Sequence, residues 1–502
     1  MGERVPAKKR QQLPLPKTLA KLPLFSLMLW VYRQPEMSVA HIMFSPEFAE
    51  KRFGYGLSPD VPPVTSVEAM LDGVRGPDFL QQQYPIEPFS TFRARMIEKK
   101  RATKQRKKAR GTADERKIRK QIRLMQRDAR QAKVRWFHQT LLRRIHGGQK
   151  FRERLTYFWG DHFTALGKQG LLRRATSPYL EETVRPHLAG RFADMLIACV
   201  THPLMVHYLD QERSAGPNSL SAQKRKDKFK GANENLAREV LELHTLGVDG
   251  PYTQNDVREL AELFAGLTYK IESGLHFRKN MAEPGAEEVL GRTYSEDASL
   301  GAVHDVLHDL AIHPATAANV ARKLAIHFVS DTPDEALIQH VESAYLASGG
   351  ELMPVYAALL EHPSAWNTPA VNVKPPIEFV SSALRALAVP EVALTELNEK
   401  KTMAYFYAPL RLMGQIWQKP DGPDGWPEED SAWITPQGLA ARLEWAATVP
   451  ARLLNELPDP RNFVDDALGA DVPERVRFAA RAAESRNEAI ALVLASPAFQ
   501  RR

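Results

Sequence analysis

The sequence predicts an all-α protein: one large domain of many helices in an orthogonal array, with one long basic helix. Three observations predict it. Apolar residues recur at three- and four-residue steps in segment after segment, as on the buried face of a helix. Short turns with Gly, Pro, Ser, Thr and Asp at capping positions separate those segments. The 502 residues, 43% hydrophobic and 25% charged, have the composition of an ordinary globular chain long enough to bury a large core.

The amino-terminal 45 residues read as a basic, partly disordered segment, and residues 46–502 as the helical domain. Residues 1–21 are basic and proline-rich. Leu22-Pro-Leu-Phe-Ser-Leu-Met-Leu-Trp-Val-Tyr32 is apolar but far short of the ~20 residues of a membrane span. Arg33 and Glu36 follow it, where a signal peptide needs an uncharged path to its cleavage site. No transmembrane segment is expected, and a cytoplasmic location is favoured. The one cysteine, Cys199, lies in the apolar run Met195–Val200 and reads as a buried thiol that forms no internal disulfide.

Residues 93–154 hold 24 Lys or Arg against five Asp or Glu, a net +19 in a chain of net +8. Thr112 and Glu115 fit a capping box. Ile118, Ile122, Met125, Ala129, Ala132 and Trp136 then recur every three or four residues, which predicts one amphipathic helix over about 112–146, ending at Gly147-Gly148. Its charges read as a solvated face that balances an acidic body, with weak, salt-sensitive polyanion binding at most. The run 99–110 has no interleaved aromatic residues and no recognition-helix signature.

The centre of the chain is the helix pair 233–268. Leu236, Val240 and Leu243 share one helical face, and Asn235, Glu239 and Glu242 share a neighbouring one. Gly247 ends the first helix, and Thr253 with Asp256 caps the second. Three polar residues at that spacing on a packed helix predict an inward pocket that meets at least one of His162, His187, His202 or His244. The catalytic candidates are therefore Glu239, Glu242, His244, His162 and His187. The binding candidates are Asn235, Arg185, His202, Asp210 and Trp426. Carboxylates and imidazoles together suit acid–base work or a divalent metal. The spacing names no metal motif, since neither His-Glu-x-x-His nor a ferritin-type Glu-x-x-His pair occurs. The competing reading is structural: a basic residue such as Arg238 pairs the glutamates, and the histidines donate to backbone carbonyls.

Several stretches resemble one bacterial family. They are Asn233–Gly247, Phe158-Trp-Gly-Asp-His-Phe163, Arg185-Pro-His-Leu-Ala-Gly-Arg-Phe192, His202–Asp210, His313-Pro-Ala-Thr-Ala317, Arg322-Lys-Leu324 and Gly425-Trp-Pro427. In this order they resemble the "domain of unknown function 1800" family over roughly residues 50–450. Where relatives carry His-Asp-Pro-Gly, this chain has Ala282-Glu-Pro-Gly285, so a site using that histidine is absent here. The resemblance implies an all-helical fold without an established activity. It also implies export in many members and a sulfatase-like partner of the "domain of unknown function 1501" family.

Downstream, 270–300 reads as a loop or short hairpin. Helices are predicted at 302–313, 315–329, 334–348, 352–361, 376–389 and 437–447, with His313-Pro, His362-Pro and Ser496-Pro as helix stops. No phosphate-binding glycine loop, nucleophile elbow or zinc ladder is present. Two function classes remain: an enzyme with a buried Glu/His/Asn pocket, metal-dependent or acid–base, and a non-catalytic accessory protein whose polar cluster is purely structural.

Overall fold

The structure, a computed structural model, describes residues 44–502 apart from 225–230, 295, 368–369 and 471. The expected basic segment 1–45 therefore lies almost wholly outside the described residues. The fold is 63% helical. Its described strands form two short antiparallel hairpins, β1 (Leu267–Lys270) with β2 (Gly274–Phe277) and β3 (Glu288–Val289) with β4 (Arg292–Thr293). That is far below the ~20–25% strand of a mixed protein, so the fold is all-α. No helix among the described residues is long and apolar enough to cross a membrane.

The elements that matter below start with α1 (Phe89–Lys108), α2 (Ala113–His146) and α3 (Lys150–His162). The middle of the chain adds α4 (Phe192–Val200), α5 (Asn235–Glu239) and α6 (Gln254–Leu263). A π-turn, Val240–His244, continues α5. The helices expected downstream appear as α7 (Leu300–Ala311), α8 (Pro314–Phe328), α9 (Glu335–Ser348), α10 (Leu352–Glu361), α11 (Pro376–Ala386) and α12 (Pro436–Thr448).

Local chemistry sets these boundaries. Thr253 and Asp256 form the expected reciprocal capping box at α6. The box expected at α2 does not form. Thr112 donates its hydroxyl to Ala109 O, and Glu115 accepts from Gly111 N and from Arg119. The His-Pro pairs do more than stop helices: each opens the next one. The Nδ1 atoms of His202, His313 and His362 accept from Leu204 N, Ala315 N and Ser364 N at 3.0, 3.1 and 3.2 Å. An imidazole thus satisfies an orphan amide of the first turn, and the following proline has no N–H to satisfy.

Two apolar clusters make the core. One gathers side chains from Ala49 to Trp366, including those of α3, α4 and the central helix pair. The other gathers α11, α12 and the carboxyl-terminal helices. The long helix α2 belongs to both: Ala129, Ala132 and Trp136 lie in the first, and Phe137, Leu141, Leu142 and Ile145 in the second. Cys199 is free and buried within the first cluster, and burial pushes its thiol up to about 12.

Candidate functional site

The site begins on α3. Its face at Phe151, Leu155, Phe158 and Trp159 is apolar and buried. Lys150, Arg154, Tyr157 and Asp161, at helical spacing, form a second face that is polar and yet enclosed. Burying such a stripe is tolerable only if each member finds a partner. Lys150 Nζ meets Glu50 Oε1 at 2.7 Å, Arg154 pairs with Glu378, and Gln415 Nε2 donates to Tyr157 Oη at 3.0 Å. Arg502 Nη1 is 3.0 Å from the same Glu378 carboxylate. The stripe ends at Asp161, whose Oδ2 accepts from Trp426 N at 2.9 Å. The loop reaches Asp161 through Gly425, which sits at φ +82°. A Cβ there would stand 2.6 Å from Asp161 Oδ2 and 2.9 Å from its carbonyl oxygen, so glycine is needed both for its conformation and for its size.

Opposite stands α8, with Asn319, Lys323 and His327 on one face. Three successive carbonyls end the π-turn and have no helical partner, and side chains from two helices take them up. Lys323 Nζ donates to Leu243 O at 3.2 Å, His162 Nε2 to His244 O at 3.2 Å, and Asn319 Nδ2 to Thr245 O at 2.7 Å. Lys323 Nζ also lies 3.4 Å from His162 Nδ1, which then accepts. His327 joins Glu428 Oε1 through Nδ1 at 2.7 Å.

Beside these groups opens a cleft of about 1890 Å³. Asp161, His162 and Lys323 lie on α3 and α8; the loop brings Asp424, Trp426 and Glu428. Trp433 packs against Trp426 with ring centroids 6.1 Å apart and planes tilted by 53°. Seven carboxylates line the cleft against two cations, Lys323 and Arg411. Asp161 and Trp426 also line a smaller, mostly apolar pocket of about 90 Å³, whose polar side chains include Tyr157, Ser177 and Gln415.

The electrostatics follow from burial. Asp161 is raised well above the usual carboxylate range by desolvation, which outweighs the Trp426 amide and Lys323; the charges of Glu428 and Asp424 add to the rise. Desolvation lowers Lys323, although Asp161, Glu428 and Asp424 oppose the shift. His162 falls well below the ordinary imidazole value through burial, Lys323 and His244, so it is neutral at pH 7.

The residues singled out by the sequence are dispersed by comparison. Asn235 is exposed in the first turn of α5. Glu242 is held by Arg238 at 3.0 Å, and Arg238 also reaches Glu234 at 3.2 Å. Glu239 is half-buried and raised to about 7 by burial, Glu242 and Asp424. Among the described residues no hydrogen bond joins Asn235, Glu239 or Glu242 to any of the four histidines, which corrects the expected inward triad. The π-turn accounts for Glu242 alone, since Asn235 and Glu239 precede it. It shifts the helical phase, so that Leu236, Val240, Leu241 and His244 are buried and Leu243 is not fully so.

His244 is enclosed beside Phe163 and His162, neither ring nitrogen has a hydrogen-bond partner among the described residues, and burial drives it down to about 3. His187 donates through Nδ1 to Thr183 O at 2.7 Å, as one turn of helix allows. Arg185 is buried between Asp78 and Glu153 and lines the smaller cavity. His202 is spent on its helix cap, packed 4.4 Å from Phe89. Asp210 holds Lys168 at the surface, 2.5 Å away. Of the ten, the structure brings His162 and Trp426 to the cleft. Among the described residues, no three His, Cys, Asp or Glu side chains are grouped to hold a metal ion.

Asp161, Lys323, His327, Asp424 and Glu428 were not singled out. Their signal was adjacency: Asp161 precedes His162, and Asp424 and Glu428 flank Gly425–Pro427. No curated protein and no solved structure matches the chain. The model of the family described as protein of unknown function (DUF1800) matches residues 49–501. That match spans nearly the whole described chain, both cores and every residue of the cleft, and the chain belongs to this family.

Proposed function

We propose that the chain is an acid–base enzyme whose reaction takes place in the cleft between α3, α8 and the tryptophan loop, with Asp161 as the proton-transferring group. The observation that carries this reading is a carboxyl enclosed at the wall of a 1890 Å³ cleft and raised by desolvation beside an amine that desolvation lowers. Opposite shifts of neighbouring acid and base are the usual arrangement at sites that move protons near neutral pH. Neutral Asp161 donates a proton through its free carboxyl oxygen, while Trp426 N holds the other oxygen in place. Trp426, backed by the buried Trp433, offers an apolar face for a substrate, and the excess of carboxylates selects neutral or cationic substrates over anionic ones.

The structural reading has an observation of its own, since His162 and Lys323 both cap the π-turn. One experiment separates the two. Chromogenic glycosides, esters and peptide amides are screened with the wild-type chain and with Asp161→Asn, while the Asp161 carboxyl is titrated by isotope-edited infrared spectroscopy. The expected result is a protonated carboxyl at pH 7 and a turnover that falls roughly 10²–10⁴-fold in a folded Asp161→Asn protein. An Asp161 that titrates near 4, or a turnover that the substitution leaves intact, ends the proposal.

A further inference from the structure

Among the described residues, the largest concentration of one sign of charge lies on the hairpin of α1 and α2, which contributes no residue to the cleft. The sequence suggested one basic helix; the structure folds a second along it. Residues 99–108 continue α1, Ala109–Thr112 turns the chain, and α2 returns against α1. Over 99–127 there are fourteen Lys or Arg and two Asp or Glu. The last buried side chain on α1 is Ala102 and the first on α2 is Ile122, so the hairpin end, 103–121, contributes nothing to either core.

Its charges are ordered. Arg116, Lys120, Arg123 and Arg127 follow one another at four, three and four residues, and all are exposed. They therefore form a straight stripe on one side of α2, with neighbours roughly 5–6 Å apart. Lys104, Lys107, Lys108 and Arg110 add exposed charge on the other arm and the turn. Some cations of the hairpin are neutralised: Lys100 by Glu272, Arg119 by Glu115 and Lys117 by Asp114. Among the described residues none of the four in the stripe has an acidic partner within salt-bridge distance. Packing two like-charged helices together costs free energy, and a bound polyanion would relieve what these three carboxylates leave.

We infer that this hairpin is a binding arm for the phosphodiester backbone of a nucleic-acid duplex. A linear row of arginines and lysines complements a linear polyanion that carries a charge every ~1.7 Å. Arginine, three of the four in the stripe, favours phosphate through its fork of donors. A membrane surface is the weaker fit. Leu124 is the single large apolar side chain exposed over 99–127, so the arm has no apolar face to insert. Binding is read from the backbone, without base contacts, and is therefore independent of sequence.

The test uses the full chain and a labelled 20-base-pair DNA duplex, followed by fluorescence anisotropy at 50, 100 and 200 mM salt. Vesicles rich in phosphatidylserine are run in parallel. The expected result is duplex binding at 50 mM salt that weakens steeply as salt rises. The variant Arg116→Gln, Lys120→Gln, Arg123→Gln, Arg127→Gln should bind at least tenfold more weakly and lose roughly 3–4 from the slope of log affinity against log salt. These positions are exposed, so the variant should keep the wild-type circular dichroism and Tm. The variant Arg461→Gln, Arg486→Gln, which removes exposed cations elsewhere, should bind like wild type. Absence of binding at 50 mM, an unchanged affinity in the fourfold variant, an equal loss in the control, or stronger attachment to vesicles than to duplex each overturns the inference.

Discussion

At the scale of single residues, Glu239 shows how location decides behaviour. Its raised value means that the folded state favours the neutral carboxyl. The stability this contributes is complete below its ordinary value near 4.5 and is lost as pH rises through about 7. Gln at 239 stays neutral throughout. Glu239→Gln should therefore match wild type at pH 4 and exceed it at pH 8. The gain is about 1 kcal/mol once the half-exposed position is discounted for solvent screening. Urea denaturation at the two pH values measures it; equal stability at pH 8 refutes the electrostatic account. The importance of Glu239 was legible from its spacing on an apolar helix, whereas its partner Asp424, almost two hundred residues on, was not. The same holds at Asp161. Its neighbour His162 drew notice as a histidine on an apolar face, while the aspartate lies on the enclosed polar face of α3, and only the tertiary fold shows that face to be buried.

At the scale of elements, the cap of α6 and the boundary between α7 and α8 were readable because caps and prolines act within four residues. The π-turn was not, because what satisfies it is distant. Its terminal carbonyls are taken by His162, Asn319 and Lys323 from two other helices. Asn319→Ala removes one of these donors and leaves Thr245 O with no replacement side chain. The expected cost is about 1–3 kcal/mol, with amide exchange in 240–247 accelerated more than in α6. A loss below ~0.3 kcal/mol shows that the cap is dispensable. The hairpin of α1 and α2 was half legible for a related reason: the charge run was plain, but periodicity on one helix says nothing about which helix lies beside it.

At the scale of the whole molecule, the helical class followed from period and turns, and the structure bears it out. The reading of residues 46–502 as one domain turns on α2. A single helix that contributes Trp136 to one core and Phe137 to the other ties their unfolding together, because neither can open without stripping a buried turn from it. We propose that the two cores melt as one unit. Calorimetry should give one endotherm with calorimetric and van't Hoff enthalpies that agree. Two resolved endotherms would mark two domains joined by a shared helix.

The π-turn also bears on how this gene tolerates change. It is a helix that has absorbed one residue more than its hydrogen bonds require. An in-frame loss of one codon between 240 and 244 would close it into an ordinary helix and wind everything downstream back by about 100°. His244 would leave its enclosed place beside Phe163, and three carbonyls would leave the donors that hold them. Most single-residue deletions are harsh at a helix centre because they break a repeat. Here the deletion would mend the repeat, and the damage would come from the repair.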